Sequence, residues 1–163
     1  MIREPDRIVR ILRQLLDFAR RKSPERSPTD LVKLARETAA FLEPLAAKRG
    51  VAVAVESGAL VLEAEVGVGQ IQQVLTNLVM NAIQASPAGG TVEVGLTART
   101  IASNKGEDLE RPCACVEVRD SGEGIPEDAR ARIFDPFFTT KPVGEGTGLG
   151  LSVAYGIVAD HRG

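Results

Sequence analysis

The chain has 163 residues, of which 44% are hydrophobic and 26% charged, with a formal net charge of −2. That length buries a core without covalent staples, and the absence of Trp with a single Tyr leaves aliphatic side chains to fill it. No apolar run approaches the roughly 18 residues of a membrane span, and the first residues lack the charged start and apolar centre of a signal peptide, so the reading is a cytoplasmic chain with no membrane segment.

From Asp6 to Arg21, apolar residues recur at Ile8, Ile11, Leu12, Leu15, Phe18 and Ala19, which predicts an amphipathic helix. Residues 1–26 hold eight Arg or Lys against four Asp or Glu, leaving twelve against eighteen in the rest. These basic residues alternate with acids and have no aromatic platform beside them, so they read as a solvated face and not as a nucleic-acid surface. An isolated helix of this length is marginal in water, so its stripe implies contact with the domain or with another chain. Ser23-Pro24 and Ser27-Pro28 mark a linker.

Asp30 is placed to cap a second helix running to Lys48, with Leu31, Leu34, Ala35, Thr38, Leu42 and Leu45 on one face and Pro44 as a source of kinking near its end. Val51 to Val55 and Ala59 to Leu62 read as strands around a Ser-Gly turn, followed by a helix from Val68 to Ala85. Thr91 to Thr100 and Cys113 to Arg119 read as the next strand pair, joined by a polar loop over Ser103 to Pro112. Cys113 and Cys115 would share one side of their strand as buried free thiols, too few to complete a tetrahedral metal site. A short helix over Ala129 to Phe134 and a last one over Leu151 to Ala159 complete the pattern. The predicted fold class is α+β, an α/β sandwich with helices on one face of a mixed, mainly antiparallel sheet, preceded by one amphipathic helix.

Three segments carry chemistry. On the helix from Val68, Ile71, Val74, Leu75, Leu78 and Ala82 form the core face, while Gln73, Asn77, Asn81 and Gln84 fall on a neighbouring stripe. Asn is a mediocre helix former, so two of them four residues apart at the border of a core suggest a cleft as readily as a solvated stripe. Val116 to Pro126 contains a strand entering the turn Asp120-Ser-Gly122-Glu-Gly124, where a carboxylate sits beside backbone able to approach a ligand closely. By itself Asp-x-Gly is a common turn. Gly144-Glu-Gly146-Thr-Gly148-Leu-Gly150-Leu151 leads into an apolar helix whose N-terminal amides suit phosphate oxygens.

In this order, with Phe134-Asp-Pro-Phe137-Phe138 between the second and third, the segments resemble the ATP-binding domain of sensor histidine kinases. That domain lies within the wider gyrase, Hsp90, histidine kinase and MutL superfamily, and the resemblance runs from about Pro28 to the end of the chain. In appearance it is nearest the nitrogen-regulation type. It implies ATP and Mg²⁺ as cofactors, with Asn81 as the metal ligand. It implies Asp120 on the adenine amine, with Gly122, Gly124 and Ile125 beside the base. Gln84, Phe138, Thr140, Lys141, Gly146, Thr147, Gly148, Leu149, Gly150 and Leu151 complete the nucleotide set. Asn77, Asn81 and Lys141 are the residues implied for catalysis. Hydrolytic members of the superfamily carry Glu where this chain has Asn77, and an amide cannot take a proton from water, which favours transfer to another acceptor.

The same resemblance divides the chain into residues 1–26, a remnant of the second helix of a dimerisation hairpin, and residues 27–163, the catalytic domain, cut before its closing strands. The hairpin reading includes the Leu-Leu-Asp-Phe-Ala-Arg run at Leu15 to Arg20. His161, the one His, reads as a helix-end residue, so the phosphoacceptor His would belong to a helix absent from this sequence. Implied partners are that helix, a response regulator and a second copy of the parent kinase. Two alternatives are a protein serine kinase on the same fold, disfavoured by the helical stripe at Ile8 to Arg21, and an ATP-gated conformational ATPase, disfavoured by Asn77.

Overall fold

The computed structural model describes residues 25–102, 110–142 and 146–163. The amphipathic helix expected over Asp6 to Arg21, most of the division at residues 1–26, most of the loop over Ser103 to Pro112, and Gly144 lie outside the described residues. Strand β1 (Ser27–Asp30) leads directly into helix α1 (Leu31–Lys48). Asp30 caps that helix as expected, its Oδ1 accepting from Val32 N at 3.0 Å. The same oxygen accepts from Leu62 N at 3.3 Å, so the cap also ties down a distant segment. Pro44 does not end α1, which continues to Lys48. Its buried side is Leu31, Val32, Leu34, Ala35, Thr38, Leu42 and Ala46, with Leu45 only half-buried.

The next strand, β2, is Ala52–Ser57. The following strand corrects the sequence reading: β3 is Glu63–Val66, four residues later than Ala59 to Leu62, and it does not form a hairpin with β2. Leu60 is 88% exposed, whereas Val66 alternates onto the core and Ala64 packs against it. β3 pairs antiparallel with β1, Ser27 opposite Val66 and Asp30 opposite Glu63. Helix α2 (Val68–Ala85) has the expected limits. Strands β4 (Thr91–Ala102) and β5 (Glu110–Arg119) follow and pair antiparallel, while β2 lies parallel along the other edge of β4. The sheet order is therefore β2-β4-β5, a mixed sheet beside the two-stranded β1-β3.

One face of the larger sheet holds the core. Val92, Val94 and Leu96 of β4 are fully buried and cluster with Val32 of α1 and Leu75, Val79 and Ile83 of α2. Withdrawing each such side chain from water is worth about 1.5–3 kcal/mol. The alternate residues Glu93, Gly95 and Thr97 take the outer face, as the two-residue period of a strand requires. Cys113 and Cys115 are free and half-buried, not fully buried as expected.

The expected helix over Ala129 to Phe134 contracts to α3 (Glu127–Arg130), after which the chain runs in turns. Helix α4 (Gly150–Asp160) begins one residue earlier and ends one later than expected. It packs on α2 through a second apolar cluster of Val74, Leu149, Val153, Ala154 and Ile157, to which Ile71 and Leu78 contribute. Helix α2 is thus covered on two sides, by the sheet and by α4. Val79 and Ile83, beyond the single face read from its spacing, are buried on the side that meets the sheet and α1.

Candidate functional site

Asn77, Asn81 and Gln84 are half-buried along α2, at the border between its covered sides and solvent. Asn77 turns its amide to α4: Nδ2 donates to Gly150 O at 3.1 Å, which fixes the first residue of that helix beside α2. A side chain at Gly150 would meet Asn81 and Asn77 at ordinary contact distances of 3.7–3.9 Å, so Asn81 lies at the same junction. The first amides of any α-helix lack intrahelical acceptors, and here they open beside these Asn residues. Ser152 is buried and donates its hydroxyl to Leu149 O at 3.0 Å.

The segment after the aromatic motif closes this junction from the other side. Lys141 Nζ donates to Gln84 Oε1 at 2.5 Å and to Asn81 Oδ1 at 3.3 Å, so two amide oxygens one helical turn apart converge on a cation. Lys141 N donates to Thr139 Oγ1 at 3.2 Å, and Thr139 lies against Gly146, where an added Cβ would fall 3.4 Å from that of Lys141. Phe137 N donates to Gly148 O at 2.9 Å, and both residues have positive φ, 68° and 67°. A Cβ at Gly148 would sit 2.6 Å from Phe137 Cα, a separation that only glycine permits.

Asp120 is exposed in the loop that follows β5, and its Oδ1 accepts from Gly122 N at 2.9 Å in a local side-chain turn. Gly122 rests on the end of α2, where an added Cβ would come within 2.8 Å of Ala85 O. The loop therefore stands one turn beyond Asn81 and directly after Gln84. Gly124, with φ of 82°, and the exposed Ile125 continue it, and Ile125 O accepts from Arg130 Nε at 3.2 Å.

The structure thus joins Asn77 to Gly150 and Asn81 and Gln84 to Lys141 by hydrogen bonds, brings Gly146 close beside Lys141, and sets Asp120 and Gly122 at the neighbouring helix end. Other residues of the expected set are placed differently. Leu149 is 3% exposed in the second apolar cluster, so only its backbone can face a ligand. Phe138 is half-buried beneath Arg132, whose Cζ is 4.6 Å from the ring centroid. It is Phe134 that meets α4, with its ring 5.2 Å from that of Tyr155. Thr140 is exposed, and Thr147 and Leu151 are half-buried.

Two supporting residues escaped the sequence reading. Ser121 Oγ accepts from Thr91 N and donates to Thr91 O, both at 2.9 Å, stapling the Asp120 loop to the start of β4. Its place between Asp120 and Gly122 was the available signal. His161 caps α4 as expected, but its Nε2 also accepts from Gly67 N at 3.1 Å while Nδ1 faces Ile157 O at 2.8 Å. That pairing assigns the proton to Nδ1. It pins the end of α4 to the start of α2, and nothing local in the sequence signals it.

No cluster of three or more His, Cys, Asp or Glu occurs among the described residues, so a hard cation in this cleft would rely on amide oxygens, water and ligand oxygens. The convergence of Asn81 and Gln84 on an ammonium shows an arrangement suited to positive charge. A separate concavity of about 350 Å³ lies beside the outer sheet face, lined in part by Glu56, Glu93, Glu117 and Arg119. Its carboxylates suit no phosphate ligand. Glu117 holds the Arg119 guanidinium in its charged form through a 3.0 Å hydrogen bond, raising its pKa.

The family model described as histidine kinase-, DNA gyrase B- and HSP90-like ATPase matches residues 68–163. Sensor kinase CckA of Brucella abortus (strain 2308) is 37% identical over 162 residues, covering 97% of this chain and 17% of CckA, so the chain spans under a fifth of that relative. The solved catalytic domain of histidine kinase ThkA is 34% identical with a TM-score of 0.69, over 83% of this chain and 81% of that one. ThkA in complex with response regulator protein TrrA aligns over 98% of this chain and 42% of its own, at 29% identity and a TM-score of 0.74. Full-length ShkA in complex with AMPPNP gives a TM-score of 0.76 at 27% identity, over 96% of this chain and 32% of ShkA.

Proposed function

This chain belongs to the histidine kinase-, DNA gyrase B- and HSP90-like ATPase family, and from that membership we propose that it is the ATP-binding catalytic domain of a sensor histidine kinase, passing the γ-phosphoryl of ATP to a His on a separate dimerisation helix. From there the group would move to an Asp of a response regulator, the class of partner named in the ThkA complex. The parent acts as a homodimer, with this kinase core on the cytoplasmic side whether or not the parent is anchored in a membrane. Among the described residues no helix is long and apolar enough to cross a membrane.

The observation that carries this reading is the convergence of Asn77, Asn81, Gln84 and Lys141 at the start of α4. Asp120 spends one carboxylate oxygen on Gly122 N and keeps the other for an exocyclic amine, which selects adenine over guanine. The first amides of α4 and the Lys141 ammonium would neutralise phosphate oxygens and hold the terminal group in line for attack. Asn81 would hold magnesium, whose charge bridges the phosphates. Asn77 has its NH₂ committed to Gly150 O and offers no base, which supports transfer to a protein acceptor over hydrolysis.

Calorimetric titration with a nonhydrolysable ATP analogue, with and without Mg²⁺, tests the pocket. One-site binding assisted by magnesium is expected. Asp120→Ala is expected to abolish it, and Asn81→Ala to remove mainly the magnesium dependence. Equal affinity for ATP and GTP in the unmutated chain would defeat the adenine assignment. Labelled γ-phosphate appearing on a His-bearing dimerisation hairpin supplied in trans would establish the transfer. Steady ATP turnover without any acceptor would favour the ATPase alternative.

A further inference from the structure

The loop that carries Asp120 begins where the ladder between β4 and β5 stops. Their pairing ends at Glu93 opposite Arg119, and continuing that register by two residues would set Thr91 opposite Ser121. The chain turns away instead, and one side chain stands in for the next rung. Ser121 Oγ accepts from Thr91 N and donates to Thr91 O, both at 2.9 Å. A hydroxyl has one proton and two lone pairs, so it satisfies both backbone groups at once while its own backbone is free to turn. Gly90 keeps that seat open, since a Cβ there would fall 2.9 Å from Ser121 Oγ. On the other flank Gly122 lies against the end of α2, where a Cβ would come 2.8 Å from both Ala85 O and Asp120 Oδ1. Asp120 Oδ1 in turn accepts from Gly122 N at 2.9 Å, a bond that spans Ser121.

We propose that Ser121 is a positioning residue for nucleobase specificity: by seating the turn on Thr91 it holds the Asp120 carboxylate where it tells a purine bearing an exocyclic amine from one without. This rests on the assignment of Asp120 to the adenine amine. Asp120 is exposed and lies just past the end of β5, so its carboxylate takes its direction from the turn. A hydrogen bond to an amine depends steeply on distance and angle, whereas apolar contact with the faces of a base is non-directional. Loss of the seat therefore affects the amine more than the rest of the nucleotide. The staple lies at the surface, so water takes over both Thr91 groups when the hydroxyl is removed, and the fold is retained.

The test is the affinity for ATP relative to purine riboside triphosphate, which lacks the amine, read by calorimetry for the unmutated chain, Ser121→Ala and Ser121→Thr. The unmutated chain should favour ATP by about tenfold or more, the worth of a hydrogen bond to a charged group. In Ser121→Ala that preference should fall about three- to tenfold, through weaker ATP binding with the analogue little changed. Ser121→Thr keeps the hydroxyl and should keep the preference. A Ser121 that merely supports the loop would weaken both nucleotides alike and leave the ratio in place, which would overturn the proposal. A ratio as low in Ser121→Thr as in Ser121→Ala would overturn it as well, since the hydroxyl would then not be the cause. Equal binding of the two nucleotides by the unmutated chain would instead defeat the Asp120 assignment on which the proposal stands.

Discussion

Gly148 shows how narrow the tolerance of this site is at the level of one atom. Its φ of 67° and its approach to Phe137 both exclude a Cβ, whereas Gly150 has room for one at ordinary contact distance. Gly148→Ala is therefore expected to cost about 1–3 kcal/mol of stability and to separate the aromatic segment from the glycine run. Gly150→Ala should keep the fold, and thermal melts of the two variants side by side check the contrast. The residues that meet at the candidate site were largely named from the sequence through the ordered resemblance of the three segments, since the Asn stripe and the Asp-x-Gly turn each had a bland reading when taken alone. Their mutual contacts were not: Asn77 binding Gly150 O and Lys141 reaching Gln84 join residues 73 and 57 positions apart, a separation that no local pattern encodes.

The pairing of α2 with α4 is the element on which the cleft depends. Asn77 holds the start of α4, and His161 holds its end to Gly67, so the two helices run antiparallel with a bond near each extremity. Between these bonds lie Val74, Val153, Ala154 and Ile157. His161→Ala leaves the Gly67 N–H without its acceptor at the start of α2, and a destabilisation of about 1 kcal/mol is expected in urea unfolding. Element limits for α2 were readable because its apolar period is long and uninterrupted. The strand misplaced at Ala59 to Leu62 had a run of apolar residues but no partner. Ser27–Asp30 supplies one only for Glu63–Val66, and tertiary pairing outranks local composition in short strands. The same dependence on a partner explains Val79 and Ile83, which are buried against the sheet and α1, while Val74 turns to α4.

Across the molecule the layers are a sheet, the helices α1 and α2 on one face of it, and α4 beyond α2, with the candidate site at the outer junction. The class of fold was readable from helices and strands that do not strictly alternate, while the split into two sheets was not. One contact ties the first described residues to the far layer: Arg26 Nη2 donates to Asp160 O at 2.6 Å. Arg26→Ala should loosen the last turn of α4, read as faster amide exchange at His161 to Gly163, with nucleotide affinity little altered. The geometry also gives that contact a mechanical sense. A helix of this length is about 16 Å from end to end, and the end opposite Arg26 is the one that faces Asn77 and Asn81. A torque arriving along the backbone that precedes β1 would reach α4 as a lever, with its load at the end beside Asn77 and Asn81.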